Sequence, residues 1–190
     1  MTQIRVYFEG HRILRTGFEQ FFRELVNKAH KSGVDLSFIA GGPGPKGLAK
    51  GLRSHPQAWN ILLKDSEQEM PTDRRSLCES LGIRPEHSTN VFWMVQLMEA
   101  WFLADPDALA SWYGTSFRSN AIGQTQDVEH VPKRDVYRRL EQARRDTGRE
   151  YAKSHAVHLL GRIRPERVRE RAAHCREFFD AVERKLAQAD

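Results

Sequence analysis

The first third of the chain alternates short apolar runs with turn residues. Three runs, 4–8, 34–40 and 59–63, have the length of strands and are rich in branched aliphatic or aromatic residues. Between the first two runs, apolar side chains recur at helical spacing at Phe18, Phe21, Phe22 and Leu25. After the second run, a short helix is predicted over 46–53. The pattern therefore predicts strands and helices in alternation.

Strands that alternate with helices usually form right-handed crossover units and join one parallel sheet. The predicted fold class is α/β, with a mostly parallel central sheet flanked by helices. In open sheets of this kind, binding sites lie outside the carboxyl ends of the strands, where the loops converge. Glu9, Gly41 and Asp65 directly follow the first three predicted strands or lie just beyond them. We expect these three residues to lie near such a site.

The middle of the chain continues the pattern less regularly. A polar connection over 67–87 leads to a fourth predicted strand over 89–95. Residues 97–112 then predict a helix that contains Glu99 and that Pro106 kinks or restarts, because proline lacks the amide hydrogen of a helix interior.

The last part of the chain is predicted to be a long loop and then helices. Residues 116–131 have no clear periodicity, which favours a loop. From Pro132 onward apolar positions recur at helical spacing. The chain is thus interpreted as a single domain over 1–190, with an α/β core over 1–115 and a loop and helical extension over 116–190.

Composition excludes several classes of protein. Hydrophobic residues make up 39% and charged residues 29%, as in ordinary soluble domains. The longest apolar stretch, 91–104, is interrupted by Gln96 and Glu99 and is shorter than the roughly 20 residues of a membrane span. The start MTQIRVYFEG does not resemble a signal peptide, so we predict a cytoplasmic protein without a membrane segment. Cys78 and Cys175 are too few for a disulfide framework and are expected to be reduced thiols.

The positive charge favours a polyanionic partner. The formal net charge is +5 and the pI is about 9.4, and arginine is dense between residues 133 and 185. Lysine and arginine that neutralise phosphates release condensed counterions, which favours binding of DNA or RNA. The alternative is that these residues form solvated helix faces.

The strongest cluster of candidate residues is acidic. Glu9 follows the first predicted strand, and Asp65 and Glu67 follow the third. The predicted topology makes these strand ends neighbours. We expect Glu99 to join them. Carboxylates packed together repel one another unless a cation lies between them. Magnesium or manganese suits such oxygen ligands and can activate water against a phosphodiester. We therefore predict Glu9, Asp65, Glu67 and Glu99 as metal ligands and catalytic residues.

Each acid also has an ordinary structural interpretation. Glu9 could be a surface residue before a turn glycine, and Asp65 and Glu67 could belong to a solvated turn. Glu99 lies in an otherwise apolar segment, and burying a carboxylate without a partner is costly. Its structural alternative is a core acid paired with an arginine.

A basic set extends the predicted site. Lys153 and His155 are candidate catalytic residues, because a lysine can neutralise a transferring phosphoryl group and a histidine can relay a proton. Lys133 belongs to the same set, although a basic face that holds the substrate backbone or meets water is favoured for it. The turn Gly41-Gly42-Pro43-Gly44, followed by Lys46, exposes main-chain amides that could contact phosphate, but it lacks the Walker pattern.

Four segments carry a resemblance to a known family. VYFEG, LLKDSE, MVQLMEAWFLADPDAL and YAKSHAVHLLGRIRPERVR together resemble a bacterial family of TOPRIM-like domains, over nearly the whole chain. The resemblance implies a magnesium site with a glutamate after the first strand and a DxD pair after the third. Glu9, Asp65 and Glu67 match those positions, with glutamate in place of the second aspartate. It also implies a nuclease in a defence-type system with an AAA-type ATPase as partner.

Three functions are consistent with these residues. The first is a magnesium-dependent TOPRIM-like nuclease that cleaves DNA or RNA. The second is a non-catalytic TOPRIM-like subunit that docks on an AAA-type ATPase, which the glutamate at position 67 and the large helical tail keep open. The third is a metal-dependent phosphohydrolase acting on a small nucleotide.

Overall fold

A four-stranded parallel sheet forms the centre of the molecule. The computed structural model describes residues 2–42 and 45–188, with only the backbone at residue 153. The strands are β1 (Gln3–Phe8), β2 (Asp35–Ala40), β3 (Trp59–Asp65) and β4 (Val91–Met94), in the order β2-β1-β3-β4. Every neighbouring pair is parallel. This confirms the predicted α/β class with a parallel sheet flanked by helices.

Helices surround the sheet and fill the second half of the chain. The α-helices are α1 (Leu14–Phe21), α2 (Arg23–Lys31), α3 (Lys46–Ser54), α4 (Arg74–Ser80), α5 (Pro106–Tyr113), α6 (Ser119–Ile122), α7 (Lys133–Arg144), α8 (Ala156–Leu160), α9 (Pro165–Arg171) and α10 (Ala173–Ala187). Short 3-10 helices cover Pro85–Asn90, Met98–Ala104, Val128–His130 and Lys153–His155. Within the described residues, no helix is long and apolar enough to cross a membrane.

Each face of the sheet has its own apolar core, because successive strand side chains point to opposite faces. On one face, β1 contributes Val6 and Phe8 to a large cluster that also contains Phe22 of α1–α2 and Phe178 of α10. On the other face, Tyr7 joins a smaller cluster covered by α3 and α4. The sheet is therefore buried on both sides, as expected for parallel strands.

The connections leave the sheet in different directions at β1 and β3. From β1 the chain passes through α1 and α2 to β2, on the face of the large cluster. From β2 it returns through α3 on the other face to β3, and then through α4 to β4. A crevice between the carboxyl ends of β1 and β3 follows from this reversal, and ligands of open α/β sheets bind in such a crevice.

Two predicted segments in the middle of the chain differ from the structure. The polar connection after β3 contains α4, whose first turn is capped by the Asp73 carboxylate, an acceptor for the amides of Arg75 and Ser76. The helix predicted over 97–112 is instead the 3-10 helix Met98–Ala104 followed by α5, which begins at Pro106. All seven residues of that 3-10 helix are buried, so its apolar pattern reflects burial on every side and does not reflect one helical face.

The helical extension takes part in the core. Residues 116–131 were predicted to be a loop, but they contain α6 and the 3-10 helix Val128–His130. The helices predicted from Pro132 onward are confirmed, and α10 packs against both α2 and β4. The Phe22 ring lies 4.9 Å from that of Phe178 and 5.1 Å from that of Phe179, measured between ring centroids. The tail thus contributes Phe178 and Phe179 to the aromatic packing on this face.

Candidate functional site

One cavity brings together the four acidic residues singled out in the sequence. Glu9, Asp65, Glu67 and Glu99 all line a cavity of about 580 Å³, which we call the acidic cavity. It lies where β1 and β3 end, at the crevice that the topology predicts. Residues more than 30 positions apart in the sequence therefore share one space.

The strand ends position Glu9 and Asp65. The Glu9 amide donates to the Leu63 carbonyl at 3.1 Å, which continues the pairing of β1 with β3 past the last strand residue. Asp65 is the last residue of β3, and its Oδ1 accepts a hydrogen bond from the Met98 amide at 2.8 Å. This bond ties β3 to the start of the 3-10 helix that carries Glu99.

Gln96 holds the turn that carries Glu67. The backbone carbonyl of Gln96 accepts a hydrogen bond from the Glu67 backbone amide at 3.0 Å. The backbone amide of Gln96 donates to the Ser66 hydroxyl at 2.8 Å. Its side-chain Oε1 accepts from the Lys133 amide at 3.3 Å. Glu67 and Gln96 both have a φ of 63°, a left-handed conformation that costs free energy in residues other than glycine. Two strained residues are thus bonded to each other at the edge of the cavity.

Lysines neutralise the two outer carboxylates. Lys64 donates to Glu9, and its side chain is only 9% exposed. Lys133, at the start of α7, donates to Glu67 at the more exposed rim of the cavity. The Glu67 carboxylate raises the pKa of Lys133. The charged form of Lys133 is therefore favoured beside its acid.

Among the side chains that the structure describes, the inner carboxylates Asp65 and Glu99 have no such counterion. No lysine or arginine whose side chain the structure describes forms an ion pair with either of them. Burial, and then the negative charge of Glu99, raise the pKa of Asp65 to about 8, and Glu9 and Glu67 add to the effect. The hydrogen bond from the Met98 amide acts in the opposite direction and lowers the pKa of Asp65. At neutral pH an uncompensated Asp65 therefore holds a proton that an ordinary aspartate would have lost.

Two tyrosines lie near the inner carboxylates. The Tyr151 hydroxyl donates to Glu99 Oε1 at 2.9 Å, and burial and the Glu99 charge raise the pKa of Tyr151 far above its ordinary range. Tyr137 of α7 lines the cavity, and burial together with the charges of Glu99, Asp65 and Glu67 raises its pKa to about 12. Both phenols therefore stay protonated at neutral pH, which keeps Tyr151 a hydrogen-bond donor to Glu99.

The chemistry of these donors fits a divalent cation, although no assembled coordination sphere is present. Carboxylate oxygens are the ligands that magnesium and manganese prefer. Among the described residues, no three His, Cys, Asp or Glu side chains are arranged so that they could hold a metal ion. Glu9, Glu67 and Glu99 are instead engaged by Lys64, Lys133 and Tyr151, so binding of a cation would require these carboxylates to turn away from their present partners.

The other predicted residues are placed less closely around the acids. The Lys153 side chain lies outside the described part of the chain. The His155 ring lies 6.2 Å from that of Trp112 and is absent from the cavity lining, although its neighbours Ser154 and Ala156 do line it. For Glu99, the partner is a tyrosine hydroxyl where an arginine was the structural alternative. In the glycine-rich turn, Pro43 and Gly44 also lie outside the described residues.

Sequence reasoning missed four residues of the site. Lys64 carried a usable signal, since a lysine inside an apolar strand needs a counterion when it is buried. Gln96 also interrupts an apolar run, in the way that a buried polar anchor does. Tyr137 and Tyr151 gave no signal, because their positions on the helical tail look like ordinary amphipathic packing.

Comparison with known proteins gives a family and no activity. A family model described as Domain of unknown function (DUF4276) matches residues 10–183. No curated protein and no solved structure matches the chain.

Proposed function

Since the chain belongs to the DUF4276 family, whose description assigns no activity, we propose a function from the site itself: metal-dependent hydrolysis of phosphodiester bonds in nucleic acid. The carrying observation is the convergence of Glu9, Asp65, Glu67 and Glu99 on one cavity at the carboxyl ends of β1 and β3. Two lysines offset part of this negative charge, and the inner pair is left without a described counterion. The positions of Glu9, Asp65 and Glu67 support the TOPRIM likeness as part of the same proposal.

A structural role explains this arrangement less well than a catalytic one. Buried acids that serve stability are normally paired with a cation, because an unpaired buried charge costs several kilocalories per mole, on the order of 3–5 kcal/mol. Asp105 shows the ordinary solution in this chain, since Arg164 donates to both of its carboxylate oxygens. Asp65 has no comparable partner among the described side chains and has a strongly raised pKa. Groups perturbed in this way cluster at functional sites.

In the proposed reaction, each residue has a role set by its surroundings. A bound magnesium or manganese ion would polarise the scissile phosphate and lower the pKa of an attacking water. Asp65 and Glu99 present the inner oxygens that would hold it, and Glu9 and Glu67 the outer ones. Lys133, at the rim, is placed to meet substrate phosphate when Glu67 turns inward. Tyr137 remains a neutral donor at physiological pH and orients a phosphate oxygen.

The test is cleavage of single- and double-stranded DNA and RNA with added magnesium or manganese. Native protein is compared with Asp65→Asn and Glu67→Gln, and with Glu69→Gln as the matched control, because Glu69 is exposed on the same loop and does not line the cavity. We expect Asp65→Asn to lower the rate by at least about 100-fold and Glu67→Gln by about 10-fold, on the scale of lost ligands and positioning groups. Glu69→Gln should be unchanged, and a chelator should abolish all activity.

Two results would replace this proposal. Hydrolysis of free nucleotides with no cleavage of polymers would favour the phosphohydrolase. Equal cleavage by native protein and Asp65→Asn would mean that the acidic cavity does not catalyse the cleavage. In that case, absence of metal binding by calorimetry and specific association with an AAA-type ATPase would favour the docking subunit.

A further inference from the structure

A second cavity, of opposite charge, lies beside α3. Its volume is about 370 Å³, and we call it the basic groove. Four cationic or ionisable basic side chains line it: Arg5 of β1, Lys46 and Lys50 of α3, and His55 just after α3. Among the described residues, no acidic side chain lines it. The chain has 25 acidic residues, so a groove without them is a distinct electrostatic surface.

Within the described residues, the basic side chains of the groove have no ion-pair partner, unlike Lys64 and Lys133. In the described part of the chain, no carboxylate lies within ion-pair distance of Arg5, Lys46, Lys50 or His55, whereas Lys64 and Lys133 each contact one. Arg5 is half-buried, and its Nε donates to the hydroxyl of Tyr7 at 3.1 Å. This bond fixes the guanidinium in the groove without neutralising it. The groove thus attracts an anion from outside the chain.

Close packing of α3 on the sheet makes the basic side chains converge. A Cβ atom at Gly47 would lie 2.6 Å from the Gly41 Cα, and one at Gly51 would lie 2.5 Å from the Tyr7 ring and hydroxyl. Only glycine allows the helix to approach this closely. Arg5 therefore reaches the same space as the lysines of α3, although it lies on a neighbouring element.

One end of the groove lies at the carboxyl ends of β1 and β2, the same edge of the sheet as Glu9. At one end it is lined by Gly41 and Gly42, and the Gly41 amide donates at 2.9 Å to the carbonyl of Phe8, the residue before Glu9. From Lys46 to His55 the groove follows α3 over roughly 13 Å, at about 1.5 Å of rise per helical residue. That length exceeds a single phosphate group and suits successive phosphates of one strand.

We propose that the basic groove binds the sugar–phosphate backbone of a nucleic-acid strand and directs it to the acidic cavity. This inference rests on the proposed function and names how its substrate is held. Lysine and arginine bind phosphates without reading bases, so the groove supplies affinity without sequence preference. In this proposal the strand crosses the carboxyl edge of the sheet, from Gly41 after β2 towards Glu9 after β1.

The experiment measures binding in the absence of catalysis. Fluorescence anisotropy of a labelled single-stranded oligonucleotide is recorded in EDTA over a range of salt concentrations, for native protein and for Lys46→Gln/Lys50→Gln. The matched control is Arg23→Gln/Lys31→Gln, which removes the same charge from exposed positions on α2 that line no described cavity and have no ion-pair partner among the described residues. All four substituted side chains are exposed, and circular dichroism verifies that each variant is folded.

We expect Lys46→Gln/Lys50→Gln to bind about tenfold more weakly and to reduce the slope of log affinity against log salt by roughly 1.4, since each phosphate contact to a single strand contributes about 0.7. The control should stay within twofold of native protein. Equal losses in both variants would show general charge attraction, and no loss in either would exclude the groove; each overturns the proposal.

Competition identifies the ligand, and cleavage separates this proposal from the previous one. Inorganic phosphate or a nucleoside monophosphate that displaces the oligonucleotide at equal phosphate concentration would overturn strand binding in favour of a small phosphate ligand. Because binding is measured without metal, the groove proposal can fail while Asp65→Asn still lowers the cleavage rate as expected. Conversely, groove binding can persist when the acidic cavity proves inactive.

Discussion

Asp65 shows how one residue acquires its properties from its surroundings. It ends a strand, accepts one amide hydrogen bond and shares its cavity with three other carboxylates. Burial and the Glu99 charge both disfavour its ionised form, which raises its pKa to about 8. A solvated aspartate at the same point of the sequence would titrate near 3.8. The difference arises entirely from packing.

This shift predicts how stability depends on pH. Between about pH 4 and pH 8, Asp65 is protonated in the folded metal-free protein and ionised in the unfolded chain, so the folded state binds the extra proton. The contribution of Asp65 is therefore fully present below its unfolded pKa and is lost as the pH rises towards 8. The free energy of unfolding should fall with a slope of at most about 1.4 kcal/mol per pH unit from this residue.

The measurement is urea unfolding in EDTA at several pH values from 5 to 8. Asp65→Asn should have a shallower pH dependence and should exceed native protein in stability at pH 8, because it removes a buried charge. Identical slopes for the two proteins would contradict the electrostatic description of this site.

At the scale of elements, the turn after β3 and the turn after β4 depend on each other. Glu67 and Gln96 are bonded through their backbones, and both adopt left-handed conformations. Neither residue type favours this conformation, so the two strained turns hold one another in place. Through Gln96 Oε1 the pair also fixes the start of α7, which carries Lys133 and Tyr137. The hydrogen bonds of Glu67 and Gln96 thus position three side chains of the cavity, those of Glu67, Lys133 and Tyr137.

The left-handed backbone at position 67 predicts that a glycine variant is more stable than an alanine variant. Glu67→Gly and Glu67→Ala both remove the ion pair with Lys133, but glycine adopts a φ of 63° without the steric cost that alanine pays. We expect the glycine variant to be the more stable by about 1 kcal/mol in chemical denaturation. The matched pair Glu69→Gly and Glu69→Ala should show the reverse order, because the backbone at Glu69 is not left-handed. The same order at both positions would argue against strain.

At the scale of the whole molecule, the tail and the sheet form one packed unit on the face of the large core cluster. α10 lies against α2 and β4, and α8 lies against α1. The tail also brings Tyr137 and Tyr151 to carboxylates that originate in the first 99 residues. The helical extension therefore serves both the core and the candidate site.

Substitutions in α10 test this coupling. Phe179 is fully buried and packs against Phe21 and Phe22, so Phe179→Ala should lower the free energy of unfolding by about 3–5 kcal/mol. Arg184→Ala on the exposed face of the same helix should change it by less than about 0.5 kcal/mol. Thermal or urea unfolding measures both. A small effect of Phe179→Ala would mean that the tail is only loosely attached to the sheet.

Local pattern by itself determined the strands, their parallel arrangement and the position of Glu9 and Asp65 at the strand ends. It could do so because side-chain periodicity and crossover handedness depend on near neighbours in the chain. Burial on all sides hides periodicity, so the 3-10 helix around Glu99 was predicted as part of an α-helix.

Only the tertiary structure decided which side chains meet the acids. Lys64 reaches Glu9, Lys133 reaches Glu67 and Tyr151 reaches Glu99 across separations of 55, 66 and 52 residues. The basic side chains of the groove likewise converge because α3 packs closely on β1. Contacts of this kind depend on how whole elements pack, and no local pattern encodes them. The raised pKa of Asp65 likewise follows from its burial and from the acids that tertiary packing brings beside it.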